Sequence, residues 1–328
     1  CTLRDGGWLN QWGFSLEQAK HITRQSALAG VSYIEVGYRN YPGKIAGPGP
    51  FGLSGKCSND YLKAMVETVR GSDAKIAVMC EADFVKIEDV QEMHNCGVSM
   101  IRIRFFPQIT DAQKENSYGL LNEAHNLNML TTANFTSATE VSSDKLVQDI
   151  KEAVSHNISF IYISDSVGNF TPERVKAIYN RIREQVDLGS SRLAFHNHNM
   201  MDLAIPNALA AINSGISILD CTYRGMGRCA GNVKLEAIVA SLHAIGNVSA
   251  NNVDLLQVLE GAAYMEREIK ESLPNPSVEE IALGVYNFND TNAPLFNQAA
   301  KEANVGVIAL LAYAAEMNVT RTELTQEY

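Results

Sequence analysis

The chain has 328 residues, 46% apolar and 20% charged, with a formal net charge of −10. That length suits one large barrel or two modest domains, and the acidic balance argues against a general affinity for nucleic acid or anionic lipid. No apolar run approaches the ~20 residues of a membrane span, and no signal-peptide pattern stands at the front. The six cysteines (Cys1, Cys57, Cys80, Cys96, Cys221 and Cys229) form no CxxC pair, so a reducing cytoplasm is the expected location.

From the first residue onward, short β-rich apolar runs alternate with longer amphipathic ones. Strands are predicted at about 1–4, 33–37, 76–80, 100–104, 130–134, 160–165, 193–195 and 218–220. Helices are predicted near 16–29, 59–71, 86–95, 113–127, 144–156, 172–185, 201–214 and 233–244. Ser15 and the Thr171-Pro172 pair are start signals, and Gly30, Gly97 and Gly215 follow helical stretches as stop signals. Eight strands, each followed by a helix, imply an α/β fold: a (β/α)8 TIM barrel over residues 1–245. The rhythm is lost beyond it. A helical segment over 252–273 is broken by Pro274-Asn275-Pro276, 287–294 reads as a loop, and helices follow through 299–314 and 320–327. Residues 246–328 are therefore expected to be a helical C-terminal extension. The irregular, Gly- and Pro-rich stretch 38–56 follows the second strand. It reads equally as a substrate lid offering Arg39 and Lys44 to an anionic group, or as a solvated loop.

Phe195-His196-Asn197-His198 closes the seventh predicted strand. In extended backbone, residues two apart face the same side, so the two imidazoles can converge on one divalent cation. Asp5, at the end of the first predicted strand, is the candidate carboxylate, because strands one, seven and eight of a closed barrel are neighbours and carry their functional residues at the C-terminal mouth. Asn232, after the glycine-rich segment Gly225-Met226-Gly227-Arg228-Cys229-Ala230-Gly231, can offer an amide oxygen as a fourth ligand. Plainer roles stand beside these. Asp5 can cap a turn, Asn232 can cap the following helix, Asp165 can form a turn, and the glycine loop can hold a phosphate on backbone N–H groups. The remaining histidines, His21, His94, His125, His156 and His243, fall on predicted helices as packing or surface residues.

Leu3-Arg4-Asp5-Gly6, Glu35, the turn Asp165–Pro172, His196-x-His198 and the Gly225–Asn232 segment, in that order, resemble the DRE-TIM metallolyases of the HMG-CoA lyase-like superfamily. That group includes 4-hydroxy-2-oxovalerate aldolase, HMG-CoA lyase, and the isopropylmalate and homocitrate synthases. Gly-Met-Gly-x-x-Ala-Gly-Asn is most similar to the aldolase branch. The resemblance implies a lyase that cleaves or forms a C–C bond next to a 2-oxo acid, through pyruvate enolate chemistry, with an aldehyde as the second substrate. It further implies Mn²⁺ or Mg²⁺ on Asp5, His196 and His198, with Arg4 stabilising the developing oxyanion and Glu35 supporting Arg4. Family members often form homo-oligomers, and some aldolases pair with a dehydrogenase.

Two departures stand out. The branch carries a histidine base three residues after the metal aspartate, where this chain has Trp8, expected to line the substrate site instead. Gly225-x-Gly227-x-Cys229 resembles the catalytic-cysteine loop of HMG-CoA lyase, which would make Cys229 a proton relay. Tyr286 is the implied counterpart of a substrate-contacting tyrosine in the aldolase branch. Two alternatives follow: an acyl-CoA lyase or condensing enzyme, favoured if Cys229 is essential, or a barrel that has lost catalysis and binds a partner.

Overall fold

In the computed structural model, residues 1–41, 51–250, 252–269 and 274–317 are described. Two short helices open the chain, α1 (Thr2–Asp5) and α2 (Gly7–Asn10), and α3 (Leu16–Leu28) follows. Strand and helix then alternate: β1 (Tyr33–Arg39), α4 (Leu53–Lys56), α5 (Asn59–Thr68), β2 (Lys75–Cys80), α6 (Ile87–Asn95), β3 (Met100–Phe105), α7 (Asp111–Asn126) and β4 (Leu130–Phe135). The series continues with α8 (Ser143–Ser155), β5 (Phe160–Asp165), α9 (Pro172–Gln185), β6 (Arg192–Asn197), α10 (Ala204–Asn213), β7 (Ile218–Leu219) and α11 (Leu235–Ala244). Four helices close the described chain: α12 (Leu255–Glu268), α13 (Val278–Val285), α14 (Ala293–Ala303) and α15 (Val307–Glu316). The predicted helix over 320–327 and the predicted role of Lys44 lie outside the described residues.

The seven strands form one parallel sheet in chain order, curled so that its helices lie outside. Start and stop signals act as predicted. Ser15 makes a capping box with Gln18, Thr171 caps α9 ahead of Pro172, and Gly30, Gly97 and Gly215 take positive φ just past their helices. Residues 1–4, however, are not a strand, which corrects the count from eight to seven among the described residues. The reason is local. The Gly6-Gly7 pair lets the chain coil: a Cβ on Gly7 would lie 2.1 Å from the Trp12 indole. Trp12 Nε1 donates to the Arg4 carbonyl at 2.8 Å, satisfying a group that a neighbouring strand would otherwise take. The segment still occupies the gap between the first and last strands. Arg4 pairs with Glu35 of β1, and the Thr2 hydroxyl accepts from Tyr223 N, just past β7.

Inside the curl, three layers succeed one another along the strands. At the strand starts, Ala77, Met100, Phe160, Tyr162 and Ala194 pack with Tyr33, Leu130 and Ile218 into an apolar plug. Above it lies a buried charged layer of Glu35, Arg102 and Asp220, with the Arg102 guanidinium 4.2 Å over the Tyr162 ring. The strand ends form a polar mouth. The alternate strand residues face outward and join the helices in the main core. A bulge in β1 between Glu35 and Tyr38 lets both of these side chains reach the interior: Glu35 pairs with Ala77 of β2, Tyr38 with Met79. A separate core, Leu283, Phe288, Phe296, Leu311 and Ala314 with Met200 and Ala230, seats α13, α14 and α15 against the loops of the mouth.

Candidate active site

A cavity of about 330 Å³ opens at the strand ends, lined by Arg4, Asp5 and Trp8 from the first turns and by His196 and His198 from the end of β6. His196 is the hub. Its Nδ1 lies 3.0 Å from Asp220 Oδ2, and its Nε2 lies 3.3 Å from Asp5 Oδ2 and 3.4 Å from His198 Nε2. Asp220 is paired from behind by Arg102, at 2.6 and 3.2 Å. Because Asp220 accepts at Nδ1, the His196 proton sits there, and the Nε2 lone pair faces Asp5 and His198.

Burial alone would raise the Asp220 carboxyl, but Arg102 and His196 outweigh it and hold it well below the usual carboxylate range. Burial opposes ionisation of Asp5 as well, and there Arg4, His196 and His198 prevail, so its pKa is lowered. Burial, reinforced by His196, lowers the His198 pKa to about 3, leaving a neutral imidazole able to offer a lone pair. Burial disfavours the Arg4 charge, but Asp5 and Glu35 more than compensate and raise its pKa well above the ordinary arginine value.

The donor set fits a divalent cation. The charged layer and the base of the mouth hold two guanidiniums, Arg4 and Arg102, against three carboxylates, Asp5, Glu35 and Asp220, which leaves one net negative charge out of water. Asn232 Nδ2 donates to Asp5 Oδ2 at 3.0 Å, while its buried Oδ1 has no partner. Among the described residues, the set whose ligating atoms all lie within 4.8 Å of one another is Cys1, His196 and Asp220, whereas Asp5 and His198 meet through His196 Nε2. The set with Cys1 meets His196 on the Nδ1 side, which faces Asp220, whereas the Nε2 side of His196 opens onto the cavity.

The plainer readings resolve as follows. The Asp5 carboxylate faces Arg4, Asn232 and His196 rather than capping a turn. Asn232 pairs with His198 in an isolated bridge, and Lys234 stands at the N-cap of α11. The glycine loop is tight because its neighbours are close: a Cβ on Gly227 would lie 2.3 Å from Asn232 Nδ2. Asp165 forms a turn, accepting from Asn169 N and Phe170 N at 3.0 Å each, and burial raises its pKa to about 6. Arg39 is engaged by Asp89 and Glu92. Cys229 donates to Asp290 at 2.7 Å and does not line the cavity, and burial together with Asp290 raises its pKa. Tyr286 packs on the α13–α15 core; from that part of the chain, Asn289 and Thr291 reach the cavity instead.

Sequence reasoning missed Asp220, Arg102 and Arg104. The inward alternation of β3, Met100-x-Arg102-x-Arg104, carried the signal for the two arginines, since a barrel interior seldom takes charges without a counterpart.

A family model described as HMGL-like matches residues 1–264. Among curated proteins, the 4-hydroxy-2-oxovalerate aldolase of Thermus thermophilus is 28% identical over 94% of this chain and 86% of its own length. That of Geobacillus genomosp. 3 is 30% identical over 83% and 77%. Among solved structures, the N-terminal domain of a putative aldolase from Bacteroides vulgatus superposes with a TM-score of 0.75 at 24% identity, covering 92% of this chain and 95% of that one. Bacillus subtilis HMG-CoA lyase superposes at 0.71 with 19% identity, over 85% and 94%. With the motifs of its first, sixth and seventh strand regions gathered at one mouth and the family match spanning them, the chain belongs to the HMGL-like family.

Proposed function

We propose that this protein is a divalent-metal-dependent aldolase-type lyase that breaks or forms a C–C bond next to a 2-oxo acid. The observation that carries the reading is the meeting of Asp5, His196 and His198 at the floor of a cavity that Arg4 also lines. A cation, Mn²⁺ or Mg²⁺, held by these three with Asn232 Oδ1 as a further donor, supplies Lewis-acid stabilisation of the charge on the 2-oxo group. Asp220 fixes the His196 ring and keeps its proton on Nδ1. Glu35 and Asp5 hold the Arg4 guanidinium against the oxygen where charge develops. One added dication turns the net negative charge of the floor to net positive, which suits a monoanionic oxo acid.

The same reading takes residues 1–245 as a (β/α)8-type barrel, with the opening segment in the place of its first strand, and 246–328 as a helical C-terminal extension. The six free thiols support a cytoplasmic location. Homo-oligomers and a partner dehydrogenase remain part of the proposal by family likeness alone. The test is methyl-proton exchange of pyruvate in D₂O with Mn²⁺-loaded protein. Exchange that depends on the metal supports the reading; none with either metal overturns it and leaves a binding protein.

A further inference from the structure

The cavity has a second wall that the reaction at its floor does not use. The inward positions at the ends of β3, β4 and β5 and in the loops after them are Arg104, Asn134, Thr136, Ser164 and Ser166, and Asn289 closes the row from beyond α13. Phe106 and Pro107, from the loop after β3, line the cavity beside this polar row. Ser164 is 1% exposed, lines the cavity, and its hydroxyl has no hydrogen-bond partner. A buried hydroxyl left without a partner costs free energy unless a ligand supplies one. Ser166 Oγ accepts from Ser137 N at 3.0 Å, which leaves its proton to give. Thr136 Oγ1 donates to the Phe105 carbonyl at 3.1 Å, which leaves its lone pairs to accept. The wall thus offers donors and acceptors in alternation.

The arginines that line the cavity are already paired with carboxylates. Arg104 is held by Glu81 at 3.0 and 3.2 Å, Arg228 by Asp290 at 2.6 Å, and Arg4 by Glu35 and Asp5. A phosphate or second carboxylate, which only accepts, would find no unpaired cation among the described lining residues. A sugar-like hydroxyl, which both gives and accepts, finds matched partners. A cavity of about 330 Å³ also has room for more than a three-carbon oxo acid.

We propose that the β3–β5 wall is the subsite for the second substrate, and that it selects a neutral hydroxyaldehyde over an alkyl aldehyde. The inference rests on the aldolase reading above. In the condensing direction the pyruvate methyl group gives up one proton, and its carbon then bonds to the aldehyde carbon. The carbonyl π pair moves to the aldehyde oxygen, which takes a proton, and no oxidant or reductant is required. The product is a 4-hydroxy-2-oxo acid that carries the hydroxyls of the aldehyde.

The experiment compares kcat/KM for glyceraldehyde, glyceraldehyde 3-phosphate and propionaldehyde with pyruvate on the Mn²⁺-loaded protein, alongside pyruvate exchange in D₂O. Glyceraldehyde should exceed propionaldehyde by about tenfold or more, because a site built to bond hydroxyls penalises their absence. Ser164→Ala and Ser166→Ala should each compress that ratio by about fivefold. The ratio is taken within one preparation, so a loss of folded protein cancels. Exchange together with propionaldehyde equal to or better than glyceraldehyde, or a ratio untouched by both variants, overturns the inference and spares the aldolase reading. A tenfold preference for the phosphorylated aldehyde overturns the neutral specificity. Absence of exchange with no aldehyde consumed overturns the aldolase reading and this inference with it.

Discussion

The two walls of the cavity follow opposite rules. Around His196 each charge is bound to another of opposite sign: Arg102 to Asp220 and Glu35, Arg4 to Glu35 and Asp5, and His196 between Asp220 and Asp5. On the β3–β5 side Asn134, Thr136, Ser164 and Ser166 are small and polar beside the paired Arg104 and the Phe106 ring, and the Ser164 hydroxyl has no partner. A network of paired charges holds geometry, as a site repeating one reaction requires, because an unpaired charge in low dielectric is expensive, even though Glu35 Oε1 and Arg102 Nε within it lack a hydrogen-bond partner. An open row of hydroxyls is cheap to keep and easy to change. The contrast teaches where fixed chemistry ends and selectivity begins.

The largest effect should come from removing a charge at the floor. Asp5→Asn keeps the shape and loses the carboxylate, and metal-dependent pyruvate exchange should fall by roughly a thousandfold. A variant retaining more than a tenth of the exchange would show that Asp5 is peripheral. Arg102→Met should act on stability instead. It leaves Asp220 and Glu35 buried without their shared partner, and urea denaturation should show a loss of about 3–5 kcal/mol; a loss below about 1 kcal/mol would mean the layer is not held by its paired charges.

Asp165 stands at the seam between the walls, where its carbonyl accepts from His198 N. Its carboxyl is raised by burial to about 6 from 3.8. For a carboxyl raised on folding, the contribution to stability is complete below the unfolded value near 4 and is lost as pH climbs through about 6. Two units correspond to about 3 kcal/mol at most. The difference in unfolding free energy between wild type and Asp165→Asn should therefore change between pH 4 and pH 6.5 in that sense, and a pH-independent difference would refute the assignment. The smallest effect belongs to Asp220→Asn, which loosens His196 without removing a ligand. Manganese affinity measured by titration should drop roughly 10–100-fold, and an unchanged affinity would place Asp220 outside the metal's support.

The sequence made the strand-and-helix rhythm legible because its signals are local: Ser15, Thr171-Pro172 and the glycines after helices each act within one turn. The opening segment was misread because four residues carry too little period to separate strand from helix. What decides its shape is Trp12, packed over Gly7 and bonded to the Arg4 carbonyl. The His196–His198 pair and Asp5 were visible as a motif. Asp220 and Arg102 were not, since their meaning is their mutual pairing across 118 positions, which no spacing rule encodes. Cys229 and Tyr286 entered by family likeness, and their side chains turn to Asp290 and to the C-terminal core.

The central claim is tested most directly by crystals soaked in manganese and measured at its absorption edge. The account predicts one anomalous peak at the cavity floor within about 2.0–2.3 Å of Asp5, His196 Nε2 and His198 Nε2. A peak held elsewhere, or no peak while these three side chains keep only one another as partners, would contradict it.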